Sequence, residues 1–515
     1  MNLHKTHTDP TIWAATVEDM PDITNLPRLS RRGFLAATAA LSATAVAGCQ
    51  RDAGATSTRV VTADAIAAAE ARRPHSGRTV STTLSAQRTR VDLGGTVADT
   101  IAYNDVVPGP LLRASVGDEL EVTVRNRLTH STSVHWHGLA LRNDMDGAAP
   151  ATPDIADGQD FTYRFSVPHP GTYWAHPHTG LDADTGLYFP LIVDDPNDPG
   201  RYDAEWVVML DDWTDGVGPS PAQIYDRLRM PSGDGHDMPG MGGRIGSPLG
   251  GDAGDVDYPM YLVNGRNAQN PTSFRARPGQ RVRIRLVNAG SDTAFRVALA
   301  GHRMTVTHTD GFPVAPREVD ALLIGMGERY DVTITAGDGI FPLVAVAEGK
   351  NASTRALLVT AVGSTPPRDY APPELHGRLG TVSSFTATPE ASFDAAAADT
   401  DLRVELGGSM AEYEWTINGR SFEKMRPLTV RERQRVSMTF RNSTMMWHPM
   451  HLHGHTFQVL GEDGRPGARK DTLVVLPMRR QRVIFTADNP GTWMLHCHNT
   501  YHQEAGMMTR LDYGS

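Results

Sequence analysis

The stretch GDELEVTVRN (117–126) recurs twice further along the chain, as GQRVRIRLVN (279–288) and RQRVSMTFRN (433–442). In each copy apolar and polar residues alternate, which is the pattern of a β-strand with one buried face. The residues expected to face inwards are Leu120, Val122, Val124, Val282, Ile284, Leu286, Val436, Met438 and Phe440. A repeat at this long spacing indicates a domain present in three copies, since solenoid repeats are much shorter.

The segments around these copies match as well. Asn264-Gly265-Arg266 and Asn418-Gly419-Arg420 precede the second and third copies and predict turns. The boundaries suggested for the domains are 80–197, 198–366 and 380–515, with links rich in Pro and Asp at 194–200 and 365–374.

Composition agrees with three mostly β domains. A chain of 515 residues is too long for one small domain, and 49 Gly and 35 Pro favour turns over long helices. Outside the N-terminal segment only Asp64–Arg72 and Ser220–Arg229 look helical. The net charge of −10 offers no basic patch, so no nucleic acid partner is expected.

The segment HCHNTYHQEAGM (496–507) contains ligands for two kinds of copper site. On a strand, His496 and His498 point to one face while Cys497 points to the other. A thiolate, two imidazoles and a distant thioether form a blue-copper electron-transfer site. The segment supplies all of that set except one imidazole, through Cys497, His502 and Met507.

Three further His-x-His motifs lie upstream: His135-Trp136-His137, His176-Pro177-His178, and the pair within HPMHLH (448–453). In the last, His451 and His453 share a strand face, while His448 can point the other way, towards Cys497. The four pairs give eight imidazoles for one cluster. Because the middle domain has no histidine in its matching closing segment, FPLVAVA (341–347), that cluster is expected between the first and third domains.

Zinc is the main rival metal, since imidazole suits zinc as well as copper. The Cys-x4-His-x4-Met arrangement is not typical of a zinc site, however. His455 shares the strand face of His453 and is interpreted as structural. The histidines interpreted as non-ligands are His169, His236, His302 and His308.

These four motifs, in this order, resemble those of the multicopper oxidases, a family that includes laccases, ascorbate oxidase and bacterial cuprous oxidases. The resemblance runs from about Ser81 to the C-terminus. It implies an all-β fold of three consecutive cupredoxin-like Greek-key β-sandwich domains. It also implies oxidation of a substrate by single electrons, coupled to the four-electron reduction of dioxygen to water.

The resemblance implies four copper ions and assigns each ligand. The type 1 ligands are His448, Cys497, His502 and Met507. The type 2 ligands are His135 and His451. The type 3 pair is held by His137, His176, His178, His453, His496 and His498.

Reduction of dioxygen also requires protons. Asp146 matches the acidic position that follows the first His-x-His in many family members, and it is interpreted as a relay or a partner of the type 2 ligands. The alternative is an ordinary turn aspartate. Bacterial relatives often carry Glu directly after the second type 1 histidine, whereas this chain has Gln503 there, with Glu504 next. The residue that would serve the second proton route is therefore in doubt, and the candidate is the next residue, Glu504.

The N-terminus carries an export signal. Ser30-Arg31-Arg32-Gly33-Phe34-Leu35 is a twin-arginine pattern, and the apolar run after it ends at a lipobox-like Val46-Ala47-Gly48-Cys49. Residues 1–48 are therefore expected to be removed, and 49–79 to form a tether from a lipid on Cys49 outside the cytoplasmic membrane. Of the two cysteines, one is then assigned to lipid and Cys497 to copper, so no disulfide is expected.

The methionines bear on the electron donor, because Cu(I) is soft and prefers thioethers. Met445 and Met446 lie just before His448, and Met238 and Met241 lie in a Gly/Met-rich stretch, 230–254, interpreted as a surface insertion or a flexible loop. With the signal, this resembles actinobacterial lipoprotein multicopper oxidases of copper tolerance. That resemblance implies oxidation of Cu(I) to Cu(II), with Met446 as a substrate contact or a core residue. The alternatives are a laccase-type oxidase of phenols and aromatic amines, and a non-catalytic copper-binding scaffold of the envelope.

Overall fold

A computed structural model describes residues 61–198, 200, 202–230, 247–393 and 397–514, which belong to one unit, Thr58–Ser515. The predicted export signal, Cys49 and most of the Gly/Met-rich insertion lie outside the described residues. Within the described part of the chain, six β-sheets form three successive pairs. The predicted all-β class with three consecutive β-sandwich domains is confirmed.

Domain one consists of two four-stranded sheets. Its strands are β1 Thr79–Asp92, β2 Val97–Tyr103, β3 Leu112–Ser115, β4 Glu119–Asn126, β5 His135–His137, β6 Asp160–Ser166, β7 Gly171–His176 and β8 Phe189–Asp194. The sheet orders are β2-β1-β4-β6 and β3-β8-β7-β5. The antiparallel pairing of β5 with β7 sets His135 opposite His176, so two predicted ligand pairs meet at one sheet edge.

Domain two consists of two six-stranded sheets, of orders β10-β9-β12-β17-β14-β15 and β11-β19-β18-β13-β16-β20. Its strands are β9 Ala204–Trp213, β10 Met260–Val263, β11 Ser273–Arg275, β12 Arg281–Asn288, β13 Phe295–Leu299, β14 Met304–Thr309, β15 Phe312–Val319, β16 Ala321–Ile324, β17 Arg329–Thr335, β18 Ile340–Ala347, β19 Ala352–Val359 and β20 Leu379–Gly380. The last of these comes from the link to domain three.

Domain three has a six-stranded and a five-stranded sheet, of orders β22-β21-β24-β29-β26-β27 and β23-β31-β30-β25-β28. Its strands are β21 Thr400–Ser409, β22 Glu414–Ile417, β23 Leu428–Val430, β24 Arg435–Asn442, β25 His448–Leu452, β26 Phe457–Leu460, β27 Pro466–Lys470, β28 Thr472–Val475, β29 Arg480–Thr486, β30 Thr492–Cys497 and β31 Met508–Tyr513. Pairing of β25 with β30 sets His451 opposite His496, the counterpart of the register in domain one.

The repeated strand occupies the same place in all three domains. The copies are β4, β12 and β24, and every residue expected to face inwards is buried. Each copy runs parallel to the first strand of its domain and antiparallel to a later one. The chain therefore contains three copies of one sandwich.

The predicted turns are confirmed by their backbone. Asn264 and Gly265, like Asn418 and Gly419, have positive φ, as a two-residue hairpin turn with strand-compatible twist requires. Each asparagine also accepts a hydrogen bond through its Oδ1 from a strand amide, 2.7 Å from the Met209 nitrogen and 2.8 Å from the Glu405 nitrogen.

Helices are short. They are α1 Ala63–Ala71, α2 Pro221–Leu228 and α3 Thr500–Glu504, with single 3-10 turns at Asn143–Met145, Asp182–Asp184, Pro373–His376, Val382–Ser384 and Phe422–Lys424. The first two agree with the predicted helices to within one residue at each end. A capping box between Ser220 and Gln223, with Pro221 at the first position, explains where α2 begins. None of the helices in the described ranges is long and apolar enough to cross a membrane.

Candidate metal centres

Eight imidazoles from the four His-x-His motifs meet between domains one and three. Three Nε2–Nε2 distances of 3.3 Å each join a histidine of domain one to one of domain three: His135 to His451, His176 to His498, and His178 to His496. Domain two contributes no imidazole to these contacts. The cluster therefore exists only where the two outer domains face each other.

The imidazoles lie close enough together to form several groups of three that could hold a metal ion. His178, His453 and His496 each place one nitrogen within 4.8 Å of the others. A second set consists of His137, His176 and His498. The ring centroid of His498 lies 4.9 Å from that of His137 and 5.0 Å from that of His176. His135 and His451 lie beside both sets.

Burial makes these groups suitable for a metal. It lowers the pKa of seven of the cluster imidazoles, and repulsion between neighbouring rings lowers it further, to about 3 for His178. The others whose pKa is lowered are His137, His176, His451, His453, His496 and His498. Neutral imidazole is the form that binds metal ions. Nδ1 of His137 is also buried without a hydrogen-bond partner among the described residues, as a free ligand atom would be.

A second candidate centre lies wholly in domain three. Sγ of Cys497 is 3.7 Å from Nδ1 of His448 and 3.6 Å from Nδ1 of His502, and the two nitrogens are 3.2 Å apart. Met507 is buried, and its carbonyl accepts a hydrogen bond from the Cys497 amide at 3.0 Å. A thiolate facing two imidazoles, with a thioether in the same core, fits the donor set of a blue-copper site.

A short helix places His502 in this centre. After β30 the side chain of Asn499 caps α3 by accepting hydrogen bonds from the amides of Tyr501 and His502, at 3.0 and 3.1 Å. Its Nδ2 donates to Oδ1 of Asp292, in domain two, at 2.6 Å. The chain reverses direction at this capped helix, so that His502 faces Cys497. The sequence predicted the ligands but not the helix.

Asp146 lies at the cluster. Its carbonyl is 3.0 Å from Nδ1 of His135, and its Oδ2 is 2.8 Å from Nδ1 of His453. The main chain of Asp146 thus orients a predicted type 2 ligand, while its carboxylate orients a predicted type 3 ligand. Gly147 follows with φ of +81°, and a Cβ there would lie 1.7 Å from the Val134 carbonyl oxygen, so a larger residue would displace this turn.

Asp471 repeats this arrangement from the opposite side, and the sequence did not reveal it. Its carbonyl is 3.0 Å from Nδ1 of His451, and its Oδ1 is 3.2 Å from Nε2 of His137. Arg329 of domain two donates to both carboxylate oxygens, each at 2.6 Å. Burial alone would raise the pKa of Asp471, but the Arg329 guanidinium outweighs it and holds the pKa well below its usual range.

Domain two therefore does more than space the outer domains. Asp310 accepts hydrogen bonds from the amides of Asp471 and Thr472, both at 3.1 Å. The Lys470 ammonium lies between Asp310 and Glu328, 3.1 Å from each carboxylate. A buried network of charges thus holds the junction of β27 and β28, where Asp471 lies, against domain two.

The thiolate centre also has a partner from domain two that the sequence did not reveal. Asp255 Oδ2 lies 3.0 Å from Nε2 of His502 and accepts a hydrogen bond from the Tyr413 hydroxyl at 2.6 Å. On the other side, Nε2 of His448 is 2.9 Å from Oγ1 of Thr444. Both imidazoles are therefore held from outside the centre, which fixes the nitrogens that face the sulfur.

Glu504 and Met446 lie outside the histidine cluster. Glu504 borders a surface cavity of about 620 Å³ that also contains Tyr413 and Arg229, and partial burial raises the pKa of this carboxyl. Met446 is only 5% exposed and packs in the core. His455, interpreted as structural, lies 2.6 Å from the Tyr513 hydroxyl.

Comparison with known proteins identifies the family. Three family models described as multicopper oxidase match residues 85–198, 204–363 and 397–514. The chain is 59% identical over 495 residues to the multicopper oxidase MmcO of Mycobacterium tuberculosis, covering 94% of this chain and 97% of that one. It is 28% identical to a copper resistance protein A homolog of Pseudomonas syringae, covering 83% and 91%. The solved laccase of Botrytis aclada has a TM-score of 0.69 at 26% identity, covering 90% and 93%. The chain belongs to the multicopper oxidase family.

Proposed function

We propose that this oxidase removes single electrons from Cu(I) and delivers them to dioxygen, which is reduced to water, and that it holds four copper ions. Copper, when bound, supplies the electron acceptor at Cys497 and the oxygen-reducing chemistry among the eight histidines. The backbone from His496 through Cys497 to His498 joins the two centres directly, so electrons have a short covalent route.

The observation that carries the choice of Cu(I) is a pair of exposed methionines beside the thiolate centre. Met445 is 74% exposed and Met478 is 64% exposed, although methionine is among the residues most often buried. The amide of Met478 donates to the carbonyl of Thr444 at 3.2 Å, which sets Met478 beside the peptide that precedes Met445. Two thioethers are thus offered to solvent on adjacent backbone segments.

Thr444 links this pair to the centre, because its Oγ1 lies 2.9 Å from Nε2 of the predicted ligand His448. A soft cation held by Met445 and Met478 would be separated from that imidazole by Thr444. Met446, the contact suggested by the sequence, points instead into the core. We therefore assign the substrate contact to Met445 and Met478.

The experiment is oxygen consumption by copper-loaded protein, with Cu(I) and with a phenol as alternative donors. Met445→Leu/Met478→Leu is expected to raise the KM for Cu(I) about 10-fold, equivalent to about 1.4 kcal/mol of binding, and to leave phenol oxidation unchanged. Met230→Leu is the control for loss of an exposed thioether, since Met230 is also 64% exposed and lies just after α2, outside the two segments that carry Met445 and Met478. An unchanged KM for Cu(I) in the double variant would contradict the proposal.

A laccase-type activity is the second candidate, and the cavity bordered by Tyr413 and Glu504 favours it. Tyr413 contacts Asp255, and Asp255 contacts the ligand His502, so an aromatic donor in this cavity of about 620 Å³ would lie near the thiolate centre. Phenol turnover that exceeds Cu(I) turnover, and that falls when Tyr413 is replaced by Phe, would favour this function.

For location, we propose export by the twin-arginine route and attachment outside the cytoplasmic membrane through a lipid on Cys49. The support is the sequence pattern at 30–35 and 46–49. Cys49→Ala is expected to release the folded oxidase from the membrane fraction. Equal membrane retention in parent and variant would count against the lipid.

A further inference from the structure

A segment ahead of domain one crosses the boundary between domains one and three. This segment, residues 62–78, is called the strap; it consists of α1 and the residues that connect it to β1. It precedes the first family match, which begins at residue 85. Near the end of the helix, polar contacts are made by Glu70, Arg72 and Arg73.

Arg73 joins the strap to both outer domains. Its guanidinium donates to the Ala140 carbonyl of domain one at 3.0 Å and to Oδ1 of Asn489, in domain three, at 2.8 Å. A third hydrogen bond, at 2.7 Å, goes to Glu70 of the strap. The Arg73 side chain is only 10% exposed, so these contacts are largely shielded from water.

Asn489 extends this contact towards the histidine cluster. Its Nδ2 donates to the Leu141 carbonyl of domain one at 2.8 Å and to the Gly454 carbonyl of domain three at 2.9 Å. Gly454 directly follows His453. Leu141 lies just before the turn that ends in Asp146, the residue whose carboxylate contacts His453.

A second pair of contacts lies along the same boundary. Nδ2 of Asn143 donates to the Thr492 carbonyl at 2.7 Å, and the Thr492 amide donates back to Oδ1 of Asn143 at 3.3 Å. The boundary between the outer domains therefore carries Arg73 with Asn489, then Asn143 with Thr492, then Asp146 with His453. The last of these is already part of the cluster.

We infer that Arg73 is a positioning residue for the cluster: from the strap, it holds domains one and three in the register that brings their histidines together. The cluster is sensitive to that register, because three of its Nε2–Nε2 contacts, each of 3.3 Å, cross between these domains. Loss of the guanidinium would leave the Ala140 carbonyl and Asn489 Oδ1 without this donor in a shielded site. The inference does not depend on which substrate the enzyme oxidises.

The test compares Arg73→Met with Arg72→Met in the full mature protein. Arg72 is the matched control, because it is the neighbouring residue and pairs with Glu432 of domain three, but both side chains are exposed. Exposed ion pairs contribute little to stability. Copper retained against a competing chelator is measured by atomic absorption, and the blue absorption and the electron paramagnetic resonance signal of type 2 copper report the two centres separately.

Arg73→Met is expected to lose copper from the histidine cluster about 10-fold more readily, at the low end of the effect of removing a group hydrogen-bonded to a ligand, because Arg73 acts on the cluster only through Asn489. The blue absorption is expected to persist, and Arg72→Met to match the parent. Arg73→Lys is expected to fall between them, because an ammonium cannot reproduce the planar fork of arginine; it decides the matter if Arg73→Met does not fold. Equal retention in all variants, or joint loss of both centres, would overturn the inference.

Discussion

Two buried aspartates, Asp146 in domain one and Asp471 in domain three, occupy equivalent places around the histidine cluster. Each accepts a hydrogen bond from a predicted type 2 histidine through its main-chain carbonyl, at 3.0 Å. Each carboxylate reaches a histidine of the opposite outer domain. They differ in charge environment: Arg329 binds both oxygens of Asp471, whereas among the described contacts no arginine or lysine pairs with Asp146.

The difference separates two tasks. Asp471 is held as an anion by Arg329, so it can orient His137 and His451 but is a poor proton carrier. Asp146 has one oxygen on His453, while its buried Oδ1 makes no hydrogen bond among the described residues and lies 3.4 Å from Nδ1 of His135. The proton role suggested for Asp146 therefore suits it better than it would suit its counterpart.

The largest expected effect comes from removing the cation at Asp471. Arg329→Met would leave a buried carboxylate without its counter-charge, which costs about 3–5 kcal/mol of unfolding free energy. Denaturant unfolding of the copper-free protein measures this cost. Arg113→Met, which removes a partly exposed guanidinium that pairs with Asp194 and Glu205, is the control and is expected to cost about 0–1 kcal/mol per pair.

The double variant Arg329→Met/Asp471→Asn is expected to recover part of the loss, because no unpaired charge remains. Similar losses in Arg329→Met and Arg113→Met would show that the pairing at Asp471 does not distinguish the two aspartates.

The next effect concerns the proton. Asp146→Asn keeps the shape of the side chain but cannot act as an acid, so oxygen consumption is expected to fall roughly 100-fold. The blue absorption of the thiolate centre should persist. Asp471→Asn is expected to act mainly on copper affinity, by about 10-fold. Steady-state rates across pH for both variants decide this; an equal fall in turnover would remove the proposed division of tasks.

The most gradual effect, spread over several pH units, is a pH dependence at His178, which has no hydrogen bond to either aspartate among those described. Its pKa in the folded protein is about 3, below the roughly 6.5 of an exposed imidazole. The unfolded chain therefore takes up a proton first as the pH falls. Above about pH 6.5 the group has no effect on stability, and below it the copper-free protein loses about 1.4 kcal/mol per pH unit until the folded pKa is reached.

Unfolding of the copper-free protein at several pH values measures this slope, and His178→Gln should reduce it by the contribution of one proton. An unchanged slope in that variant would mean that His178 is already protonated in the folded state.

The fold was predictable because local patterns encode it. Alternation in the three repeated strands marked the buried residues, and two Asn-Gly pairs marked hairpin turns. The candidate ligands were predictable for the same reason, since residues two apart on a strand share a face. Whether the predicted ligands bind copper as assigned stays a prediction, although the structure brings them together.

Other parts of the site could not be predicted because long-range packing creates them. Arg329 meets Asp471, and Asp255 meets His502, across domain boundaries, and neither pair has a sequence signal at short spacing. The helix α3 has only five residues, too few to show helical periodicity, and it carries Glu504 away from the cluster. For Asp471, the sequence signal is the charged pair Lys470-Asp471 directly ahead of an apolar strand, which is unusual for residues that become buried.

The split of the histidine cluster between the outer domains bears on the order in which the enzyme matures. Three of the cluster's Nε2–Nε2 contacts, each of 3.3 Å, join residues more than 300 positions apart, so the complete cluster cannot form until the last strands have folded against domain one. His448, Cys497, His502 and Met507, by contrast, all belong to domain three. A blue protein lacking the other coppers is therefore the expected assembly intermediate, and oxygen chemistry begins only once both ends of the chain are in place.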